Sequence, residues 1–336
     1  MTLKVVQTLA EADWRRFVDE HPDGNIYHTP DMFRVFETTE GYDPTLWAVV
    51  DSNNQPLALL LPVNITLMDG LLRRFTTRAV VYGSILVSPT PLGRQALSLL
   101  LDTYKNETKN SALFTELRNM SDLSPQQAFL NEEKFIFEDH LNFLIDLTQA
   151  EDQLWQNVKK KCRQHIRTSR NKGTQVHHIT ERSQLTDAYA ILQQVYARSQ
   201  VPLSDLSLFE AAFDILAPKG MFIPLLAQVD GQNIGAVLLL AHNGRLLDWY
   251  AGSDRSFSAY CPGELLIWHA LEMGQQQGYH LFDFGGAGKP DEDYGPRDFK
   301  AKFGGNLVNY GRNVYVHQPT LLRLSKQGYE LYRRFL

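Results

Sequence analysis

Residues 280–305, HLFDFGGAGKPDEDYGPRDFKAKFGG, read as a buried strand, a glycine turn, an acidic loop, a short helix and a second glycine turn. Strand ends that open into glycine turns are where α/β proteins place ligands. The glycine pairs at 285–286 and 304–305 allow positive φ and close backbone approach. Lys300 follows Phe299, whose ring we expect to point inward. A lysine fixed there could stabilise negative charge, and a packed loop with solvated lysines is the alternative.

The glycines of this stretch fit neither common nucleotide motif. The spacing of GGAGKP is wrong for a phosphate P-loop, and Pro290 stands where serine or threonine would follow the lysine. A dinucleotide fingerprint would need a helix directly after the strand. The histidines form no HExxH motif, Cys162 and Cys261 form no CxxC pair, and no GxSxG elbow is present. The sequence therefore predicts no metal site and supports no covalent serine or cysteine mechanism.

Length and composition are typical of a globular protein with two domains. The chain has 336 residues, of which 43% are hydrophobic and 21% charged, and domains usually take roughly 100–200 residues. Its net charge of −5 gives no general attraction to nucleic acid, so we expect no DNA partner and only local anion sites. The first residues contain no apolar leader, and the apolar runs are too short for a membrane span. We expect a cytoplasmic location, which the isolated cysteines also fit.

The order of predicted elements repeats about half a chain length apart. Each half contains helices, a strand hairpin, a further strand, a helix and another strand. The hairpin at 46–63 corresponds to the one at 226–241, and the helix at 91–108 corresponds to the helix at 263–277. We therefore predict an α/β protein with mixed α+β sheets and a cleft between two similar domains, where a ligand would bind.

The predicted domain boundaries follow from this repeat. The first domain is expected at 1–150 and the second at 151–318, and a carboxy-terminal helix at 319–336 is expected to pack back on the body.

Local patterns predict individual elements. Thr29 before Pro30 predicts a capped helix start, and Asp230-Gly231 predicts a two-residue hairpin turn. Gly83 interrupts a strand at 80–87 and suggests a bulge or a backbone kept open for a ligand. Continuous elements are predicted as a helix at 153–172 and as strands at 71–77, 138–146 and 307–316.

The segment 158–172 is the most basic element of the sequence. Arg163, Arg167 and Arg170 fall with Lys159 on one helical face, opposite an apolar face. Cations without acidic partners attract phosphate groups. The segment predicts a phosphate-rich ligand, such as a tRNA acceptor end, a coenzyme A or a nucleotide-sugar, and a solvated basic face is the alternative.

Several motifs resemble those of one enzyme family. The pattern G-x-x-x-F-K-x-x-F-G-G at 295–305, preceded by FDFGG at 282–286, is similar to the carboxy-terminal signature of the Fem-type aminoacyltransferases and their acetyltransferase-like (GNAT) relatives. The segments YHTPDMF at 27–33, the basic helix at 162–173 and YAGS at 250–253 are similar to other parts of the family, in the same order.

The resemblance implies two tandem GNAT domains that transfer an acyl or aminoacyl group to an amine. In Fem enzymes the donor is aminoacyl-tRNA, and the acceptor is the lysine-bearing peptide of a peptidoglycan precursor. By motif matching, Lys300 would be the catalytic lysine and Arg34 would bind phosphate. The expected substrate contacts are Arg34, Tyr82, Arg198, Tyr250 and Arg297.

The resemblance also implies the co-substrate and the partners. No tightly bound cofactor is expected, and aminoacyl-tRNA or acyl-CoA would serve as co-substrate. The acceptor would be a muropeptide or a small molecule, and the tRNA acceptor end is a possible partner.

Two alternatives remain open. The first is an acyl-CoA-dependent N-acyltransferase that acts on a small-molecule or sugar amine, although the usual GNAT pyrophosphate loop, Q/R-x-x-G-x-G/A, is not evident. The second is a binding protein that keeps the fold without the chemistry.

Overall fold

The computed structural model describes residues 2–68 and 70–333. The chain divides into two compact units, one of Met1–Asp139 with Tyr310–Leu336 and one of His140–Asn309. The strands within the described residues are β1 Lys4–Val6, β2 Tyr42–Pro44, β3 Trp47–Val50, β4 Pro56–Leu60, β5 Val63–Thr66, β6 Thr77–Val81, β7 Leu86–Val87, β8 Phe114–Arg118, β9 Ile136–Glu138, β10 Leu141–Asp146, β11 Gln175–His178, β12 Phe222–Val229, β13 Gln232–His242, β14 Arg245–Ser253, β15 Leu281–Asp283, β16 Asn306–Asn309 and β17 Arg312–Val316. The α-helices are α1 Glu11–Glu20, α2 Pro30–Glu37, α3 Arg73–Thr76, α4 Pro91–Thr108, α5 Ser124–Glu132, α6 Glu151–Asn157, α7 Lys160–Asn171, α8 Leu185–Ser199, α9 Leu206–Ile215, α10 Pro262–Gln276, α11 Gly295–Lys300 and α12 Pro319–Arg333.

The first unit contains two sheets. A four-stranded antiparallel sheet has the order β1-β3-β4-β7, and a six-stranded sheet has the order β2-β5-β6-β8-β17-β9, in which β6 and β8 run parallel. Helix α4 covers the core of this unit, because its apolar side places Leu97, Leu100 and Leu101 in one buried cluster with Trp47 and Leu117. Full burial of each such side chain contributes roughly 1.5–3 kcal/mol.

The second unit contains one seven-stranded sheet in the order β11-β12-β13-β14-β15-β10-β16. Its parallel pair is β14 and β15, and the buried helix α10 joins these two strands. Asp230 and Gly231 link β12 to β13 with φ of 49° and 77°. A two-residue hairpin loop needs positive φ at both positions in its commonest form, so the predicted turn is confirmed.

A strand–helix–strand crossover recurs in the two units. In the first unit α4 lies between the parallel strands β6 and β8, and in the second α10 lies between β14 and β15. The expected repeat of supersecondary structure and the mixed α/β class are therefore confirmed.

The unit boundaries differ from the predicted domains at 1–150 and 151–318. Each of two strands predicted as continuous, at 138–146 and 307–316, is instead two strands. Strands β10 and β16 pair with each other in the sheet of the second unit, whereas β9 and β17 pair with each other in the first. The second unit therefore begins and ends about ten residues earlier than predicted.

The strand predicted at 71–77 is wrong. Residues 70–72 form a short 3₁₀ turn, α3 follows, and the strand starts only at Thr77. The Thr77 hydroxyl donates to the carbonyl of Arg73 at 2.8 Å, and such local bonds let threonine end a helical turn instead of extending a strand.

Gly83 interrupts the strand at 80–87, as predicted, but for a different reason. A Cβ atom at this position would lie 2.6 Å from Asn25 Oδ1 and 2.9 Å from His28 Nε2. Both of these polar side chains are buried. Glycine at position 83 thus leaves space for the side chains of Asn25 and His28. This packing explains the glycine without a ligand that approaches the backbone.

The predicted helix at 153–172 is broken into α6 and α7. Val158 has an extended backbone, with ψ of 131°, and the amide of Lys159 donates to the carbonyl of Lys302 at 2.8 Å. The break satisfies a backbone donor outside the helix, which periodicity alone does not reveal.

Helix α12 packs on its own unit through Ser325, whose hydroxyl donates to the carbonyl of Phe75 at 2.6 Å. The last residues of the helix predicted there, 334–336, lie outside the described residues. Throughout the described part of the chain, every helix is too short or too polar to cross a lipid bilayer.

Candidate active site

Lys300 is fixed at the end of strand β15. Helix α11 ends at this lysine, whose Nζ donates to the carbonyls of Phe284 at 2.6 Å and Gly286 at 2.7 Å. The same Nζ lies 5.6 Å from the centre of the Phe284 ring. The cation therefore sits in the glycine turn that follows the strand, as the sequence predicted for this segment.

The turn itself is held by a hydrogen-bond network. Asp283 Oδ1 accepts from the Gly285 amide at 2.7 Å and from Asn142 Nδ2 at 2.6 Å, and Asn142 Oδ1 accepts from the Gly286 amide at 2.9 Å. Gly285 has φ of 71°, and a Cβ there would lie 3.0 Å from the carbonyl oxygen of Asp248. Only glycine fits this position without strain.

Asp248, on β14, is the second charged group of the site. Asp248 is only 8% exposed, and its Oδ1 has no hydrogen-bond partner among the described residues. Burial raises the pKa of Asp248 to about 6, although the Lys300 ammonium opposes this rise. Burying a carboxylate oxygen without a hydrogen-bond partner costs folding free energy. Asp248 is therefore a candidate functional residue.

Burial also lowers the pKa of Lys300, against the opposing effects of Asp248 and then Asp283. Burial raises the pKa of Asp283 as well, while its bonds from Asn142 and Gly285 oppose the rise. For Lys300, Asp248 and Asp283 alike, desolvation destabilises the charged form more than the neighbouring groups stabilise it. Buried ionisable groups with such perturbed pKa values are typical of functional sites.

Tyr250, a predicted substrate contact, lies on the same strand as Asp248. Its hydroxyl lies 2.8 Å from Ser204 Oγ, and its ring centre lies 5.7 Å from that of Tyr196. Burial raises the pKa of Tyr196, and the charge of Asp248 raises it further. Tyr196 and Tyr250 therefore belong to the surroundings of Asp248. Arg198 is exposed in the last turn of α8.

Arg297 has a structural role. Its guanidinium donates to the carbonyls of Lys289 at 2.8 Å and Pro290 at 3.1 Å, and also to that of Glu292. These bonds close the acidic loop before α11, and contact of Arg297 with a substrate stays a prediction.

The three predicted phosphate-binding arginines have different surroundings. Arg163 Nη1 donates to the carbonyls of Gln156 and Val158, each at 2.8 Å, and so caps helix α6. Arg170 bonds Glu272 at 2.9 Å. Arg167 is exposed and lies over the Trp155 ring at 5.4 Å, an arrangement that leaves its N–H edge accessible.

Arg34 and Tyr82 lie in the first unit. Arg34 donates to Asp31 Oδ1 at 3.1 Å and also to Glu11, and both carboxylates are shared with Arg15. The ring of Tyr82 is stacked with that of Tyr27, and the guanidinium of Arg118 lies 5.0 Å from its centre. Tyr82 is therefore part of an aromatic and cationic surface in that unit.

Sequence reasoning missed the roles of Asp248 and Asn142. The available signal for Asp248 was a single acid in the apolar strand segment LLDWY, since a lone acid in a buried strand is costly without a purpose. For Asn142 no local signal existed, because its two partners are far away in the sequence.

Comparisons with known proteins found one matching domain model and several similar structures. Residues 158–300 match the family model described as an acetyltransferase (GNAT) domain, and this range ends at Lys300. No curated protein matches the sequence. Among solved structures the chain is similar to FemX, with a TM-score of 0.73 and 15% identity over 96% of this chain and 99% of that one.

Two further structures share the fold over nearly the whole chain. L-PGS from Bacillus licheniformis has a TM-score of 0.59 at 12% identity, and covers 95% of this chain and 97% of its own. A tandem GNAT protein from the clavulanic acid biosynthesis pathway has a TM-score of 0.59 at 14% identity, with 94% and 99% covered. The predicted tandem GNAT fold is thereby confirmed.

Proposed function

We propose that this chain, an acyltransferase whose fold is that of the tandem GNAT and Fem-type proteins, transfers an aminoacyl group from aminoacyl-tRNA to an amine of a peptidoglycan-precursor-like acceptor. The family match and the shared fold carry the general activity, acyl transfer. The donor and the acceptor are the finer part of the proposal, and they follow from the motif resemblance.

The observation that supports the chemistry most directly is the position of Lys300. A lysine ammonium has three N–H donors, and two of them go to the carbonyls of Phe284 and Gly286. We assign the third to the substrate. A preorganised donor in a partly buried site stabilises developing negative charge more strongly than water does, because no solvent has to reorganise.

The proposed reaction is direct attack by a neutral amine on the donor carbonyl. The carbon–nitrogen bond forms and the carbon–oxygen bond of the ester breaks. Lys300 stabilises first the oxyanion and then the departing ribose oxygen, and the proton lost by the amine passes to that oxygen, either directly or by way of the carboxylate of Asp248. Holding both reactants together supplies up to ~7–11 kcal/mol in well-oriented cases.

The start of helix α7 supports a phosphate-bearing donor. Lys159, Lys160 and Lys161 are exposed there and the first turn has no acid, although a helix N-terminus disfavours cations. With Arg167 they form a basic surface that attracts phosphate. Arg163 and Arg170 are less available, because their guanidinium groups are already bound.

The first unit has its own groups that could recognise a polar acceptor. Tyr82 and Arg118 offer a ring and a cation side by side, and Arg34 is 41% exposed despite its ion pairs. Such groups suit an acceptor with sugar, phosphate and peptide parts, as a muropeptide precursor has.

A second candidate is acyl-CoA-dependent transfer to a small-molecule or sugar amine. The match of residues 158–300 to a GNAT acetyltransferase domain favours it, because that fold commonly uses acyl-CoA as co-substrate. In this case the carbon–sulfur bond of a thioester would break in place of the ester bond. No tightly bound cofactor is predicted for either reaction.

Substitution of Lys300 tests the chemistry. Lys300→Met should fold normally but lose about 10²–10³-fold in turnover, since one preorganised donor contributes roughly 3–4 kcal/mol. Lys219→Met, at an exposed lysine of the same unit, should retain activity. Full activity of Lys300→Met on the substrate that the wild-type protein turns over would remove this lysine from the mechanism.

A thermal-shift series identifies the reactants. Stabilisation by a UDP-linked muropeptide would favour the Fem-type acceptor, and stabilisation by coenzyme A would favour the second candidate. If neither ligand shifts the unfolding temperature and no transfer is detected, the result contradicts the proposed function and favours a binding protein on this fold.

A further inference from the structure

Three side chains that can bind a metal ion meet at the start of helix α10. His165 lies on α7, Cys261 is the residue before α10, and Glu264 lies in its first turn. One ligand atom from each lies within 4.8 Å of those of the other two, and all three residues are half-buried. The proposed transfer reaction uses none of them.

The combination of donors indicates the class of ion. Imidazole nitrogen, thiolate sulfur and carboxylate oxygen together suit zinc, whereas magnesium and calcium prefer oxygen alone. Tetrahedral zinc with its usual bond lengths places ligand atoms roughly 3.3–3.8 Å apart. In the structure the His165 and Glu264 atoms are 3.0 Å apart and all three ligand atoms lie within 4.8 Å of one another, so side-chain rotations would have to bring them to these separations.

The contact between His165 and Glu264 has the form expected of such a site without its metal. His165 Nδ1 lies 3.0 Å from Glu264 Oε1, so a hydrogen bond joins the two groups. A metal ion can take the place of the hydrogen between them. Lys302 Nζ donates to the same oxygen at 3.1 Å, so the carboxylate also has a second partner.

The charges are compatible with a divalent cation. One thiolate and one carboxylate balance the two positive charges of the ion, so the nearby ammonium of Lys302 faces a neutral complex. Ligands in metal sites are commonly oriented by such outer hydrogen bonds.

We propose that His165, Cys261 and Glu264 bind one divalent ion of the zinc class. The ion would tie α7 to the start of α10, the helix that joins β14 to β15. The sequence predicted no metal site, because these residues form no compact ligand motif along the chain. The fourth coordination position would belong to water, since three protein ligands leave it open.

Cobalt substitution gives a direct test, because a bound thiolate produces a charge-transfer band that surface carboxylates and histidines do not. The full-length protein, stripped with a chelator, should bind one equivalent of Co²⁺ with this band, and Zn²⁺ should displace it. Zn²⁺ should raise the unfolding temperature, and Mg²⁺ should not. Cys261→Ser should abolish the band, and His165→Ala should weaken binding at least about tenfold.

Two matched variants control the experiment. Cys162→Ala removes the other cysteine of the chain and should retain the band, and His177→Ala removes an exposed histidine of the same unit and should leave the affinity unchanged. The proposal is overturned if no thiolate band appears, if the band survives in Cys261→Ser or depends on Cys162, or if His177→Ala weakens binding as much as His165→Ala. None of these readouts depends on acyl transfer.

Discussion

Lys300 and Asp248 share surroundings that disfavour the charge of each. Their mutual attraction offsets only part of the desolvation cost, since burial dominates the pKa shift of both groups. Buried groups with such perturbed pKa values are concentrated at functional sites. We therefore expect the site to be active only when Asp248 is ionised.

Asp248→Asn tests this expectation through the pH dependence of kcat/KM. The carboxyl of Asp248 has a pKa of about 6, so the carboxylate forms as pH rises through that value. If the carboxylate is needed, kcat/KM of the wild-type protein should rise over the same range. In Asp248→Asn this rise should be absent, and activity should stay low at every pH.

Stability supplies the control for that variant. A raised pKa in the folded state means that Asp248 contributes stability below the ordinary pKa of aspartate, and that this contribution is lost as pH rises through about 6. Asparagine cannot ionise, so Asp248→Asn should be at least as stable as the wild-type protein at mildly alkaline pH. An unchanged pH profile in a folded Asp248→Asn protein would contradict the proposed role.

Individual site residues could be predicted only where local sequence reports their surroundings. Lys300 follows a phenylalanine and lies between two glycine turns, so its position near a strand end was evident. Asp248 comes next to that turn only because β14 runs parallel to β15, with Leu247 opposite Asp283. Such a pairing between distant segments leaves no mark in either segment alone.

The junction between α6 and α7 is where one element supports another. Arg163, from the first turns of α7, reaches back to the last carbonyls of α6. Gly304 packs against the same junction, where a Cβ would lie 2.4 Å from the carbonyl oxygen of Asn157. The junction therefore positions the segment that follows Lys300.

Arg163→Ala and Arg167→Ala separate support from ligand binding. Arg163→Ala should destabilise the protein by about 1–3 kcal/mol, because it leaves several carbonyls of α6 without their charged donor. Arg167→Ala should change stability little, since exposed cation–π contacts contribute only about 0.5–1 kcal/mol. It should instead raise the KM for a phosphate-bearing donor.

Urea denaturation and steady-state kinetics of the two variants provide the measurement. Equal stability losses in the two variants, or a KM effect confined to Arg163→Ala, would contradict the assignment of structural support to Arg163 and of ligand binding to Arg167.

Elements with strong end signals were predicted well, and short strands were not. Helix α4 spans the predicted residues Pro91–Thr108 and begins after Thr90, whose side chain caps it. The strand predicted at 307–316 is divided at Gly311, which has φ of 65°. The signal of that turn was a single glycine among polar residues, in Asn309-Tyr310-Gly311-Arg312-Asn313.

The second unit is a continuous segment inserted into the chain of the first unit. This arrangement determines which fragments can fold independently. Strand β10 lies between β15 and β16 in the second sheet. A fragment that starts at residue 151 would leave both of these strands with unpaired backbone groups, which is costly and promotes aggregation.

Fragment expression tests this organisation. Residues 140–309 should give a cooperative thermal unfolding transition, whereas residues 151–318 should aggregate or unfold without cooperativity, as followed by circular dichroism and size-exclusion chromatography. Comparable cooperative folding of the 151–318 fragment would show that the boundaries first expected from the sequence repeat are the correct ones.

The position of β17 has a consequence for protein synthesis. This strand lies between β8 and β9 in the first unit, yet the ribosome makes it after the whole of the second unit. Domains usually fold in order as they emerge, but here the earlier unit waits for an interior strand that is translated late. The nascent first unit therefore exposes two open strand edges throughout most of translation, and chaperone contact during that interval would protect it.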